Sequence, residues 1–174
     1  MKLSTKGRYA MVALADLAMA EAQVEKAADR SADKGGDKGG DKGEDLMSLA
    51  QIARRQDISL PYLEQLFVKL RRSGLVEAVR GPGGGYRLSR SPDAIRVSEI
   101  LQAVEETVDA MHQGAGASGG HSGTRAQDLA NRLWESLSAN VYVFLHQTRL
   151  SDVIRDELTP CPAVPALLSV VDEV

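Results

Sequence analysis

The residues with the greatest chemical potential lie in two short runs. The first is Ser59-Leu60-Pro61-Tyr62-Leu63-Glu64-Gln65. At helical spacing Leu63 and Leu66 take one face, with Leu60 packed or partly packed beside them. Ser59, Pro61, Tyr62, Glu64 and Gln65 are left for the other. A Gln amide can pair with adenine and a carboxylate can accept from the cytosine amino group, so Glu64 and Gln65 could read base edges. Tyr62 and Ser59 offer hydroxyls of the kind that hold phosphates. A glutamate facing nucleic acid is repelled by phosphate, so it belongs there only where a base contact offsets the repulsion. Otherwise Glu64 and Gln65 are plain solvent-facing helix residues. The second run is Arg80-Gly81-Pro82-Gly83-Gly84-Gly85. Its glycines, Gly81 first among them, let a backbone approach phosphate closely, and Arg80 at its base could enter a minor groove and sense its width. The run lacks the GxxxxGK[ST] lysine and the GxGxxG spacing and is flanked by two strand patterns, which excludes a nucleotide-binding loop.

Other chemistries fare poorly. There are no paired carboxylates and no nucleophile beside a histidine, so the chain does not read as an enzyme. Cys161 is the single cysteine, which excludes an intrachain disulfide and a CxxC zinc knuckle. No stretch approaches the roughly 18 continuous apolar residues of a membrane span. The N-terminus begins like a signal peptide, but Lys6, Arg8 and Asp16 interrupt the region that should be apolar. It reads as an amphipathic helix, and a cytoplasmic location is expected. The net charge of −3 is unevenly spread. Residues 1–20 carry a net +2, and residues 46–90 a net +5 from eight cations against Asp57, Glu64 and Glu77, leaving −10 elsewhere. A basic N-terminal half suits a protein that meets phosphate with one face.

These runs need elements to hold them. Ser4 can cap a helix running to about Ala22, with Tyr9, Val12, Ala13, Leu17 and Met19 or Ala20 on its apolar face. Residues 26–45, with Asp-Lys-Gly starting at Asp33, Asp37 and Asp41, are expected to be a flexible insert too polar to pack. Ser48 and Gln51 have capping-box spacing ahead of a helix Leu49 to Gln56. Asp57-Ile58 then turns, and Ser59 can cap a third helix with Pro61 in its first turn. Leu63, Leu66, Phe67 and Leu70 would bury one face of it, and Gly74 lies where a C-cap glycine belongs. A strand Leu75–Val79, the glycine turn and a strand Tyr86–Leu88 complete a winged helix-turn-helix. Beyond it, a helix Val97–Val108 with Ile100, Leu101 and Val104 inward leads to a glycine-rich loop at 111–124. A long helix from about Arg125 to Thr148 presents Leu129, Leu133, Leu137, Val141, Phe144 or Leu145, and Thr148. One small domain cannot cover a stripe of that length, so a homodimer through helix 125–148 is expected; a central helix buried within the monomer is the alternative. A short helix Leu150–Leu158 follows. The expected class is mainly α with a small β-hairpin wing. Its units are 1–95 for the winged domain, 96–124 for the linking helix and loop, 125–158 for the dimerisation helix and its successor, and 159–174 for a tail.

The segments LSTKGRYA, SLPYLEQLFVKLRRSGLVEAVRGPGGGYRLSR and VSEILQAVEETVDA resemble the Rrf family of bacterial winged-helix regulators. The match is strong over residues 1–20 and 46–110, weaker over Leu133–Ile154, and excludes the insert. It implies a homodimer on paired half-sites of double-stranded DNA, acting as a repressor of iron–sulfur assembly or iron-responsive genes. It assigns Tyr62, Glu64 and Gln65 to a recognition helix, Arg80 to the minor groove, and Thr5, Lys6 and Arg8 to phosphate. Cluster-binding members of that family hold a [2Fe–2S] group through three cysteines and a histidine in the loop before the dimerisation helix. The equivalent loop here has none of those cysteines and offers His112 and His121, while Asn131 falls near the family's histidine. Centres with histidine on iron still use two cysteines. Cys161 lies past the long helix and would have to fold back, or come from the other protomer, to join the two histidines. Two expectations therefore stand together. Either His112, His121, Cys161 and an unassigned fourth ligand hold one atypical cluster per protomer, or the cluster is lost and the protein answers another cue or binds DNA constitutively. His146, on the long helix, is read as packing or surface.

Overall fold

The computed structural model describes residues 4–32, 46–81, 83–106 and 124–158. The first helix, α1, spans Thr5–Ala32 and runs ten residues beyond the end that apolar periodicity predicts. The added stretch, QVEKAADRSA, is rich in residues that favour helix without needing a packed face. Residues 26–32 are therefore helical, not insert, while the Asp-Lys-Gly run lies outside the described residues. The buried face of α1 is Ala10, Ala13, Leu14, Leu17 and Ala18. Val12, expected inward, is exposed, and of the two alternatives Met19 and Ala20 it is Ala20 that packs against the core while Met19 is exposed.

Helix α2, Leu49–Gln56, begins with the expected capping box. Gln51 donates its backbone N–H to the Ser48 hydroxyl, and Ser48 donates its own N–H to the Gln51 side chain. It ends at Asp57, which adopts the left-handed conformation with φ 52 that Asp tolerates better than most residues. Helix α3, Leu60–Arg72, follows, with Ser59 at its N-cap position and Pro in its first turn. The Ser59 side chain makes no capping hydrogen bond, contrary to expectation. Leu63, Leu66, Phe67 and Leu70 are all buried, as their spacing predicts. Gly74 and Leu75 donate to the Arg71 and Leu70 carbonyls, closing the helix.

Strands β1, Val76–Val79, and β2, Gly85–Leu88, form an antiparallel hairpin in which Val76 faces Leu88 and Val79 faces Gly85. Met47 adds a bridge on the outer side of β2, exchanging both backbone hydrogen bonds with Tyr86. Phe67 meets the Tyr86 ring edge-on at 4.8 Å, so the wing is seated on α3. Glu21 of α1 accepts from the Leu88 N–H at 2.6 Å, fixing the far end of β2.

A single 3-10 turn at Pro92–Ala94 leads into α4, Val97–Ala103. This helix is shorter than expected. Val104 is buried at its C-cap, Glu105 turns left-handed with φ 56, and Glu106 donates its N–H back to Leu101. Helix α5, Arg125–Gln147, is capped by the Thr124 hydroxyl, and α6, Leu150–Ile154, ends four residues before its expected limit. Its stop coincides with a left-handed Asp156. Leu150 is fully buried, and its N–H donates to the Ile95 carbonyl, so α6 closes the core made by α1 to α4. No residue of α5 is buried. Among the described residues its last turn is clamped to α4: the Val97 N–H donates to the Thr148 carbonyl, Arg96 to the His146 carbonyl at 2.5 Å, and Ser98 lies 3.2 Å from His146 Nδ1. His146 thus belongs to the joint between α4 and α5.

Candidate nucleic-acid interface

Burial of four apolar residues along one side of α3 orients the other side outward. Pro61, Glu64 and Gln65 are exposed there, as is Ser59 just before the helix. Glu64 and Gln65 make no ion pair or side-chain hydrogen bond among the described residues, which leaves both free to meet a ligand. Tyr62 is half-buried and stands edge-on to Tyr9 of α1, ring centroids 5.8 Å apart. It therefore holds α3 against α1 as well as bordering the exposed face. Leu60, expected to be at least partly packed, is exposed at 37%.

Helix α2 is fixed beneath α3 through Asp16. That carboxylate is buried on α1 and receives the Arg55 guanidinium at 2.9 Å, while its second oxygen has no partner. The pair ties the last turn of α2 to the core at the point where the chain turns into α3.

Arg80 is exposed at the base of the wing, and Gly81 beside it has φ 125, a conformation that an L side chain resists. Among the described residues Arg8, Arg54, Arg71, Arg72 and Arg80 are exposed and enter no ion pair. By contrast Lys69 is held by Glu105 at 2.7 Å and Arg87 by Glu77 at 2.9 Å. Free cations therefore sit on α1, α2, α3 and the wing, and Arg125 and Arg132 of α5 are likewise exposed and outside any ion pair among the described residues. Replacing Arg80 by Ala should weaken binding to any duplex and flatten the salt dependence by about one phosphate-equivalent. Titrating a duplex at several salt concentrations measures both; an unchanged slope and affinity would place Arg80 off the nucleic acid.

Thr5, Lys6 and Arg8 share the first turns of α1, Thr5 and Arg8 exposed and Lys6 half-buried. Sequence periodicity missed how this end is capped. The Ser4 hydroxyl does not cap its own helix; it donates to the Glu106 carboxylate, and the Ser4 N–H donates to the same group at 2.8 Å. Burial raises the Glu106 pKa, but hydrogen bonds from Ser4 and Gly7 and the charge of Lys6 outweigh it, and the net shift is downward. A lowered folded pKa means that this cap stabilises the fold above the ordinary glutamate range and is lost as pH falls through the lowered value. Ser4 carries a local capping signal, but nothing in the sequence pairs it with a carboxylate about a hundred residues away, so only the fold reveals the contact.

The candidate cluster ligands His112, His121 and Cys161 lie outside the described residues. Among the described residues no three His, Cys, Asp or Glu side chains converge to hold a metal, and no helix is long and apolar enough to cross a membrane.

A sequence profile for Rrf2, described as an iron-dependent transcriptional regulator, matches residues 40–156. The chain belongs to the Rrf2 family. Within it, the chain is 68% identical to the HTH-type transcriptional regulator IscR of Cereibacter sphaeroides, over 99% of both chains. It is 44% identical to the regulator of the same name from Aliivibrio salmonicida, over 90% of this chain and 79% of that one. Among solved structures, T. potens IscR superposes with a TM-score of 0.61 at 29% identity, covering 97% of this chain and 96% of that one. CymR, the global cysteine regulator of B. subtilis, gives 0.65 at 28% identity, covering 90% and 98%. This Rrf2-family chain is thus a DNA-binding transcriptional regulator with a winged-helix fold, and not an enzyme.

Proposed function

We propose that the protein is a homodimeric repressor that binds paired half-sites in double-stranded DNA and controls iron–sulfur assembly or iron-responsive genes. The observation that carries this reading is the pairing of exposed Glu64 and Gln65 on α3 with unpaired arginines on α1, α2, α3 and the wing. Glu64 and Gln65 read bases in the major groove; Arg80 and Gly81 approach the minor groove and its phosphates; Thr5, Lys6, Arg8, Ser59, Pro61 and Tyr62 border the backbone. The exposed stripe on α5 supports the dimer, because Leu129, Leu133, Leu137 and Phe144 are each at least 40% accessible in the single chain. The iron-dependent description of the family and the relatives named IscR support the choice of regulon.

The cue is a [2Fe–2S] cluster held by His112, His121 and Cys161 with one further ligand. Donor chemistry limits this reading: the chain has one cysteine and three histidines, His146 is engaged with Ser98, and a cluster with histidine ligands ordinarily keeps two thiolates. That same shortage supports a second reading, a regulator that has lost the cluster and answers another signal. Anaerobically purified protein decides between them. A coloured protein containing iron and acid-labile sulfide, bleached by oxygen and by Cys161→Ser, is the expected result, since Cys161 is the only thiolate the sequence offers. Loss of colour in His112→Ala and His121→Ala as well would extend the ligand set to the loop. Colourless protein after anaerobic reconstitution would leave a DNA-binding dimer without a cluster.

A further inference from the structure

The two carboxylates that follow α4 bind two different DNA-facing helices. Glu106 takes both the N–H and the hydroxyl of Ser4, so it holds the N-terminal end of α1 from 102 residues away. Glu105 receives the Lys69 ammonium from the last turn of α3 at 2.7 Å, and its carbonyl accepts from Lys6 at 3.2 Å. The helices are in close contact at this point. A Cβ placed on Gly7 would lie 2.9 Å from Leu101 Cδ2 and 3.1 Å from Glu106 Cγ. We infer that Glu106 is a positioning residue for DNA binding: by capping α1 it sets where Thr5, Lys6 and Arg8 stand relative to the recognition helix, with Glu105 holding the other side of the joint. The inference rests on the reading of Thr5, Lys6 and Arg8 as phosphate contacts. It goes beyond that reading by naming acidic residues, remote in sequence, on which the contacts depend.

The sign of the effect separates positioning from simple charge. Deleting a carboxylate beside a phosphate-binding surface should by electrostatics alone tighten binding, because one repulsion is removed. Loss of a positioning cap should weaken it instead. The test uses the full chain and a generic duplex titrated across a range of salt, with thermal melting to establish that each variant is folded. Glu106→Ala should bind about tenfold more weakly, with a salt slope reduced by about one to two phosphate-equivalents. Glu106→Gln, which retains an acceptor for the Ser4 N–H and loses the charge, should stay within about threefold of the parent or bind more tightly. Should Glu106→Ala fail to fold, Ser4→Ala, which removes one of the cap's hydrogen bonds, carries the test with a smaller loss of the same sign. Arg8→Ala reports on the underlying reading: an unchanged slope there overturns the phosphate assignment and the positioning role with it. A flattened slope in Arg8→Ala beside unchanged or tighter binding by folded Glu106→Ala overturns the positioning role alone. So does a Gln variant as weak as the Ala variant.

Discussion

Replacing Leu133 and Leu137 together by Asp is expected to convert the protein to an 18.7 kDa monomer that no longer engages paired half-sites. Both leucines are exposed in the single chain, at 61% and 40%, so neither contributes to its core and the winged domain should fold unchanged. In the proposed dimer each protomer would bury both against its partner. At about 1.5–3 kcal/mol for fully burying a leucine side chain, the fractions still exposed on the four side chains account for about 3–6 kcal/mol of association free energy. That is about two to four decades in the dimer dissociation constant, before the added cost of burying carboxylates. Analytical ultracentrifugation reads the mass and circular dichroism the fold. A folded variant that remains dimeric and retains operator affinity would place the interface elsewhere.

Glu64→Ala is expected to change which operators are bound far more than how tightly generic DNA is held. Glu64 is exposed on the outward side of α3 and unpaired among the described residues, so its removal leaves the fold intact. One good base contact is worth about 1–3 kcal/mol of discrimination, or roughly 5- to 150-fold between a preferred operator and one altered at the contacted position. The salt slope should stay at the parent value, because no phosphate contact is lost. Competition between operator variants measures the discrimination. A Glu64→Ala protein that ranks the variants as the parent does would remove Glu64 from base recognition.

Local signals made the helix-turn-helix legible in the sequence. The capping box at Ser48 and Gln51, the four-residue buried face of α3 and the glycine turn of the wing each depend on residues within a few positions of one another, and the structure has all three. Elsewhere the pattern was insufficient. The inner face of α1 is built from Ala10, Ala13 and Ala18 around Leu14 and Leu17, and alanine's small apolar surface gives periodicity little contrast with which to choose a side. Apolar spacing ends near Ala22 while helix propensity does not, so spacing underestimates the length of α1. Spacing overestimates α4, whose stop is a left-handed Glu105, a residue with no intrinsic bias toward that conformation. The Glu106 cap and the Met47 bridge to Tyr86 join residues distant in sequence, and no local rule anticipates either.

Among the described residues the 23-residue α5 is clamped to the core at its last turn, and a helix clamped there is a lever. At 1.5 Å per residue α5 extends roughly 35 Å from the joint formed by Arg96, Ser98 and His146. In the proposed dimer two such arms would set the separation of the two recognition helices. A change of about 5° at the joint would then move a domain by ~3 Å, close to the ~3.4 Å rise of one base pair. The number of base pairs between half-sites would accordingly be measured by the angular stiffness of this elbow, independently of the side chains that read base identity.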